Sequence, residues 1–180
     1  LKEIKIELLN CSNEQCKLKE HCLKPIIGSG PEDATIMIVG EAPGRYEVQE
    51  GKPFVGLSGQ KLNEMLNSAG LARKDVFVSN TIRCRLPEGV KPDLKTIRLC
   101  SKWLFHEIQL VKPNIVILMG GIAAQAFGLS KSISKSRGMV QTVEFYGISV
   151  KVMPTYHPAY ILRKPQHEVV VVSDLKRAKK

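Results

Sequence analysis

The apolar positions fall into short unbroken runs separated by longer stretches with helical spacing. Thr35-Ile36-Met37-Ile38-Val39 is a β-branched run that stops at Gly40, and it predicts a buried strand. From Gly59 the spacing changes to Leu62, Met65, Leu66 and Ala69, one face of a helix, with Gly70 as its closing residue. Val76-Phe77-Val78 predicts a second strand. Asp93 stands as an N-cap before a long amphipathic stretch in which Ile97, Cys100, Leu104, Ile108 and Val111 share one face, and Pro113 follows its end. Asn114 to Met119 predicts a third strand, and Gly120-Gly121 opens a helix through Phe127. Glu144 to Gly147 suggests a hairpin into a fourth strand, Ile148–Met153, and a basic helix follows. Strands alternating with helices imply parallel pairing, and runs that are apolar at every position suit a sheet covered on both faces. The expected fold is a three-layer α/β/α sandwich around a four-stranded parallel sheet. Residues 1–180 form one domain, with 1–33 a polar, cysteine-rich segment packing on it.

In sheets of this kind, ligands bind beyond the carboxyl ends of the strands. The residues that carry chemistry follow that rule. Gly40-Glu41-Ala42-Pro43-Gly44 follows strand one, Asn80 and Arg83-Cys84-Arg85 follow strand two, Gly120-Gly121 follows strand three, and Thr155-Tyr156-His157-Pro158 follows strand four. The first of these opens a Gly/Pro-rich loop that runs through Glu47 to Gly51-Lys52-Pro53-Phe54-Val55-Gly56. Backbone N–H groups in such a turn can hold a carbonyl or phosphate oxygen. Phe54 either stacks on a flat ring or tucks into the core. The Asn80 carboxamide can pair with an amide-like edge, although a lone Asn at a strand end is commonly a turn-former. His157, held by Pro158, can donate to an oxygen gaining negative charge, and its position equally suits a satisfied surface histidine.

Charge and cysteines narrow the classes. Twenty-seven Lys and Arg against seventeen Asp and Glu give a net charge of +10, a surface that attracts polyanions. Basic residues recur at Lys131, Lys135 and Arg137, at Arg163 and Lys164, and at Lys176, Arg177, Lys179 and Lys180. No apolar run reaches membrane-spanning length, and the N-terminus lacks the apolar core of a signal peptide, so a cytoplasmic protein is expected. Five cysteines in such a chain argue against disulfides. Cys11, Cys16 and Cys22 crowd the N-terminus while Cys84 and Cys100 lie far off; four thiolates could bind zinc or an iron–sulfur cluster, and Cys100 could equally be a small core residue. No Gly-Lys-Ser/Thr follows the glycine-rich stretches, which excludes a P-loop.

Taken together, Gly40-Glu41-Ala42-Pro43-Gly44, Gly51-Lys52-Pro53-Phe54-Val55-Gly56, Asn80 with Arg83-Cys84-Arg85, and Thr155-Tyr156-His157-Pro158-Ala159 resemble the thermostable "family 4" uracil-DNA glycosylases of bacteria and archaea. The runs occur in the family's order, and coverage extends from about Cys11 to about Arg163. The resemblance implies a four-stranded parallel sheet, uracil-containing DNA as substrate, and a [4Fe–4S] cluster acting as a structural staple. It matches Cys16, Cys84 and Cys100 to three cluster ligands. The fourth is Cys11, with Cys22 the alternative, since Asn13 stands where the family's usual spacing places a cysteine. It further implies that Phe54 stacks on the flipped base, Asn80 reads its edge, and His157 stabilises charge on the departing uracil. The family is similar in lacking a strong aspartate base at the position of Ala42, while Glu41 is implied to shape the pocket and Glu47 to position water or crowd out thymine's methyl group. Lys52, Arg85 and Arg163 are implied phosphate contacts, and Tyr160, Ile161 and Leu162 either wedge into the vacated stack or begin a helix facing the core. Val48 and Leu86-Pro87 depart from the family pattern. A monomer associated with the nucleoid is expected, with a basic tail that leaves room for a replication-clamp contact. The rival readings are a relative that binds DNA or uracil-like bases without turnover, or with altered base specificity, and a zinc-stapled nucleotide-binding module.

Overall fold

The apolar runs become the strands of a single sheet. The computed structural model describes residues 1–11 and 14–179; Ser12, Lys180 and the Asn13 of the family-spacing comparison lie outside them. After α1 (Lys2–Leu9) and an irregular segment, the order is β1 (Ile36–Gly40), α2 (Arg45–Glu50), α3 (Leu57–Ser68), β2 (Val76–Asn80), α4 (Leu94–Val111), β3 (Ile115–Met119), α5 (Gly121–Ala126), α6 (Ile133–Ser136), β4 (Gln141–Phe145), β5 (Ile148–Thr155), α7 (Pro158–Arg163) and α8 (Glu168–Ala178). The sheet runs β2-β1-β3-β5-β4. Its first four strands pair in parallel, as the strand–helix rhythm requires, and β4 pairs antiparallel with β5.

The fifth strand corrects the expectation of a four-stranded sheet. Tyr146 and Gly147 both have positive φ, the backbone of a tight hairpin turn, and they fold Gln141–Phe145 back on β5 from Phe145↔Ile148 to Gln141↔Val152. This edge strand is only partly buried, so it lacks the continuous apolar run that marks the others. Three further differences are local. A short helix, α2, interrupts the Gly/Pro-rich loop. Helix α3 starts at Leu57, two residues before Gly59. The basic C-terminal stretch is two helices, parted at Pro165.

Every residue of β1, β2 and β3 is buried, and their side chains alternate between two cores. Ile36, Ile38, Val78 and Ile117 meet Leu62, Met65 and Leu66 of α3, Ile161 of α7, and Val171 and Leu175 of α8. Met37, Val39, Phe77 and Val116 meet Leu104, Ile108 and Val111 of α4 and Ala123 of α5. Asp93 caps α4, its Oδ1 accepting the Thr96 N–H at 2.8 Å. The outer edge of β2 is covered by the N-terminal segment, where Ser29 and Val78 exchange backbone N–H···O bonds. Among the described residues, no helix is long and apolar enough to cross a membrane.

The start of α3 fixes the loop before it. A Cβ on Gly59 would lie 1.9 Å from the Phe54 carbonyl oxygen, so the backbone of the loop rests directly on the helix. Gly59→Ala is therefore expected to destabilise the fold by about 1–3 kcal/mol, as overpacking does. A chemical-denaturation midpoint checks this, with a lowered midpoint at unchanged slope as the expected result.

Candidate active site

At the carboxyl end of the sheet, the segments that follow β1, β2 and β5 enclose a cavity of about 350 Å³, lined by Ala42, Glu47, Phe54, Asn80 and His157 with Tyr46 at its mouth. A larger hollow of about 1060 Å³, lined by Thr35, Asn114, Lys112 and Lys151 among others, lies at the amino ends of the strands. It is remote from these polar groups and on the wrong side of the sheet for ligand binding in this architecture.

Asn80 is the last residue of β2 and is 4% exposed. Its carboxamide makes no hydrogen bond to another described residue and lines the cavity. Gly40 makes room for it: a Cβ there would lie 2.6 Å from both Asn80 Oδ1 and Phe54 Cζ. The amide and the ring therefore meet over bare backbone. Phe54 has φ 55°, an uncommon conformation for a residue with a side chain, and its ring centroid is 6.1 Å from that of His157.

That backbone is held by Glu47. Its Oε1 accepts the N–H groups of Val55 and Gly56 at 3.0 and 2.9 Å, and its Oε2 accepts that of Gly44 at 3.1 Å. A carboxylate expected to place water or exclude a methyl group is here the clamp that shapes the Phe54 loop. Glu41 does not line the cavity. Its carbonyl accepts the Ile82 N–H, and burial raises its carboxyl pKa against the opposing charge of Lys91. Ala42 contributes to the wall.

His157 caps α7, and its Nδ1 accepts the Ala159 N–H at 3.1 Å. An Nδ1 that accepts leaves the proton of the neutral ring on Nε2. Burial, helped by the positive charge of Arg163, lowers the histidine pKa to about 4. Thr155, the last residue of β5, is fixed as well: its Oγ1 donates to the buried Asp174, which also pairs with Arg137. The site thus offers a flat apolar face, an unpaired amide and a neutral N–H donor around one small cavity.

Residues 27–176 match the family model described as the uracil DNA glycosylase superfamily. The chain is similar to three proteins named type-4 uracil-DNA glycosylase. That of Archaeoglobus fulgidus is 38% identical over 98% of this chain and 90% of its own length. That of Saccharolobus solfataricus is 37% identical over 92% and 80%, and that of Thermotoga maritima 34% identical over 91% and 86%. The chain belongs to the uracil-DNA glycosylase superfamily.

In this uracil-DNA glycosylase-like chain the residues expected to meet DNA differ in exposure. Lys52, Arg85 and Arg163 are exposed. Leu162 is 43% exposed, whereas Ile161 is fully buried and Tyr160 stacks on Tyr156 with ring centroids 4.8 Å apart. Of the three wedge candidates, only Leu162 presents an apolar side chain to solvent. Tyr46 and Leu57, 59% and 66% exposed, reach the cavity mouth and were not expected from the sequence. Their signal would have been large apolar groups inside an otherwise polar loop.

The cysteines depart from expectation. Cys22 and Cys84 form a disulfide across 62 residues, their Cα atoms 5.2 Å apart, within the usual range for such a bond. Cys84 is therefore not a free thiol beside Cys16 and Cys100, and the argument from composition against disulfides fails because the fold brings these two segments together. Cys11, Cys16 and Cys100 remain free. Burial chiefly, with the nearby Cys16 and Cys11 sulfurs adding to it, pushes the Cys100 thiol up to about 11. Among the described residues, no three His, Cys, Asp or Glu side chains stand ready as metal ligands.

The shifted histidine has a stability consequence. An unfolded histidine titrates near 6.5 and the folded one near 4, so the unfolded chain takes up the proton first as pH falls. Stability from this group is full above about pH 6.5 and is lost as pH falls from 6.5 to 4. Nuclear magnetic resonance titration should place the His157 midpoint near 4, and His157→Asn should flatten this part of the stability profile.

Proposed function

We propose that this protein is a type-4 uracil-DNA glycosylase that hydrolyses the bond between uracil and deoxyribose in DNA, opening base-excision repair. The Asn80 carboxamide, without a partner among the described residues and lining one cavity with the Phe54 ring and the His157 donor, carries this reading. The names of the relatives agree with it.

The glycosidic bond is inaccessible inside a duplex, so the nucleotide must leave the stack and enter the cavity. Phe54 then stacks on the ring. Asn80 pairs with N3–H and O4 of uracil, and the cytosine amino group would leave it mispaired. A polar site of this type rejects the wrong partner because its buried groups are left without bonds. Bond cleavage places negative charge on uracil O2, where the Nε2–H of a neutral His157 donates. The sugar becomes oxocarbenium-like and water attacks it. Leu162 fills the vacated stack, and Lys52, Arg85 and Arg163 hold phosphates, which makes binding salt-sensitive. A DNA substrate would associate the monomer with the nucleoid.

The expected [4Fe–4S] cluster is part of this proposal. The donor set is thiols alone, drawn from the N-terminal segment, the turn after β2 and helix α4, and it fits a cluster only with Cys84 freed from Cys22. Cys11, Cys16, Cys84 and Cys100 would then hold it, with Cys22 in place of Cys11 as the alternative. Its chemistry would be that of a staple, since hydrolysis needs no redox step.

Two experiments test these statements. Incubation with an oligonucleotide carrying one uracil, followed by alkali, should cut at the uracil and not in thymine or cytosine controls. His157→Ala should lower the single-turnover rate by about 10²–10³-fold, the loss expected for one preorganised donor. Release unaffected by that change would end the mechanism, and no release from the folded wild type would end the functional reading. Chemical analysis of anaerobically purified protein should find iron and sulfide, lost in Cys100→Ser. Retention of both in Cys22→Ser selects Cys11, and their loss selects Cys22; protein free of iron with all its thiols reduced would overturn the staple.

A further inference from the structure

Helix α4 carries one carboxylate in its apolar stripe. Glu107 lies three residues after Leu104 and four before Val111, and it is fully buried. Its partner Arg83, 1% exposed, donates from Nη1 to Oε1 at 2.8 Å and from Nη2 to Oε2 at 2.9 Å. Ser79 closes the ring, accepting from Arg83 Nη1 at 2.7 Å and donating to Glu107 Oε2. The Gly28 N–H adds a further bond to Oε1 at 2.7 Å.

We propose that the Arg83–Glu107 pair is a positioning pair for the uracil-reading side of the pocket, resting on the glycosylase reading above. Ser79 and Arg83 bracket the three residues between them. Asn80 carries the pocket carboxamide. Thr81 donates from N and Oγ1 to the Gly40 carbonyl at 2.9 and 3.0 Å, and Ile82 N donates to the Glu41 carbonyl at 2.8 Å. Clamping both ends of this segment to α4 therefore fixes two things together: the amide of Asn80 and the turn after β1 that leaves Gly40 bare beneath it.

Stability alone does not account for the pair. Burying two charges is expensive, and well-packed apolar residues usually serve a core as well or better. Arg83 Nε, moreover, is buried without a partner. An apolar pair could fill the same space, yet it could not hold the Ser79 hydroxyl or the Gly28 N–H. The geometry has a use at the pocket because an error of 1 Å in a reacting constellation costs about 100-fold in rate.

The test compares Glu107→Gln with the double variant Arg83→Met plus Glu107→Leu, which removes both charges and refills the volume. Three quantities are measured well below each variant's Tm: single-turnover uracil release, the Ki of free uracil, and the Kd for a uracil-free oligonucleotide. In the double variant we expect a Tm recovered at least part of the way from that of the single variant, a rate lowered and a uracil Ki raised by about 10- to 100-fold, and an unchanged Kd for DNA. The single variant should lose both stability and uracil binding. A double variant that regains wild-type rate and Ki along with Tm would overturn the positioning role and leave the pair as ordinary core. Wild-type protein that releases no uracil while remaining folded would overturn the glycosylase reading itself, so the two failures are distinct.

Discussion

Burial of the sheet on both faces is the constraint from which the rest follows. β1, β2 and β3 have no solvent-facing residue, since α3, α7 and α8 cover one side and α4 and α5 the other. Ladder hydrogen bonds satisfy the backbone within such a sheet, and polar side chains can gather without penalty only at its ends. The carboxyl end is the one where three segments leave the strands with glycine or short polar residues. There Gly40 lets the Asn80 amide and the Phe54 ring close over the backbone, an approach that a Cβ at that position would block.

The electrostatics of the cavity follow from the same packing. His157 is kept neutral by burial and by the Arg163 charge, and the Ala159 N–H selects which ring nitrogen bears the proton. The donor is therefore set before any ligand arrives, the condition under which a hydrogen bond to developing charge helps most. Glu47 plays the complementary part. Three backbone N–H groups converge on its two oxygens, and the uncommon backbone of Phe54 is held in place by that carboxylate and by contact with Gly59. At this pocket the Glu47 carboxylate thus organises backbone, and the histidine lining the cavity is a neutral ring.

The N-terminal segment is tied to the sheet at several levels. It lies along the open edge of β2 through the Ser29–Val78 bonds, its Gly28 N–H joins the buried Glu107, and Cys22 is bonded to Cys84 in the turn after β2. A cross-link over 62 residues removes much conformational freedom from the unfolded chain, about 4 kcal/mol in a chain-entropy account. A cluster held by Cys84 and the N-terminal thiols would constrain the same two segments. Either staple anchors the residues next to Asn80 and Arg83.

The sequence by itself determined the strand–helix rhythm, since period and apolar runs are local properties. It placed β1, β2, β3 and β5, the helices on their two faces, and the end of the sheet where His157, Asn80 and Phe54 meet. The hairpin turn before β5 was legible, but the alternating, half-exposed β4 was not legible as a strand because its place is given by pairing with β5. Tertiary structure alone decided what each polar group does. Whether Glu47 faces a ligand or clamps a loop depends on where Val55 and Gly56 turn their N–H groups, and whether Cys84 is a thiol or half of a disulfide depends on what lies 62 residues away. Glu107 is the clearest case. Along the chain it is one more acid on an amphipathic helix, and it becomes a buried anchor only because Gly28, Ser79 and Arg83 arrive from distant segments to satisfy it. Local spacing specifies which face of an element is buried; the partner found there is a long-range property that no local pattern encodes.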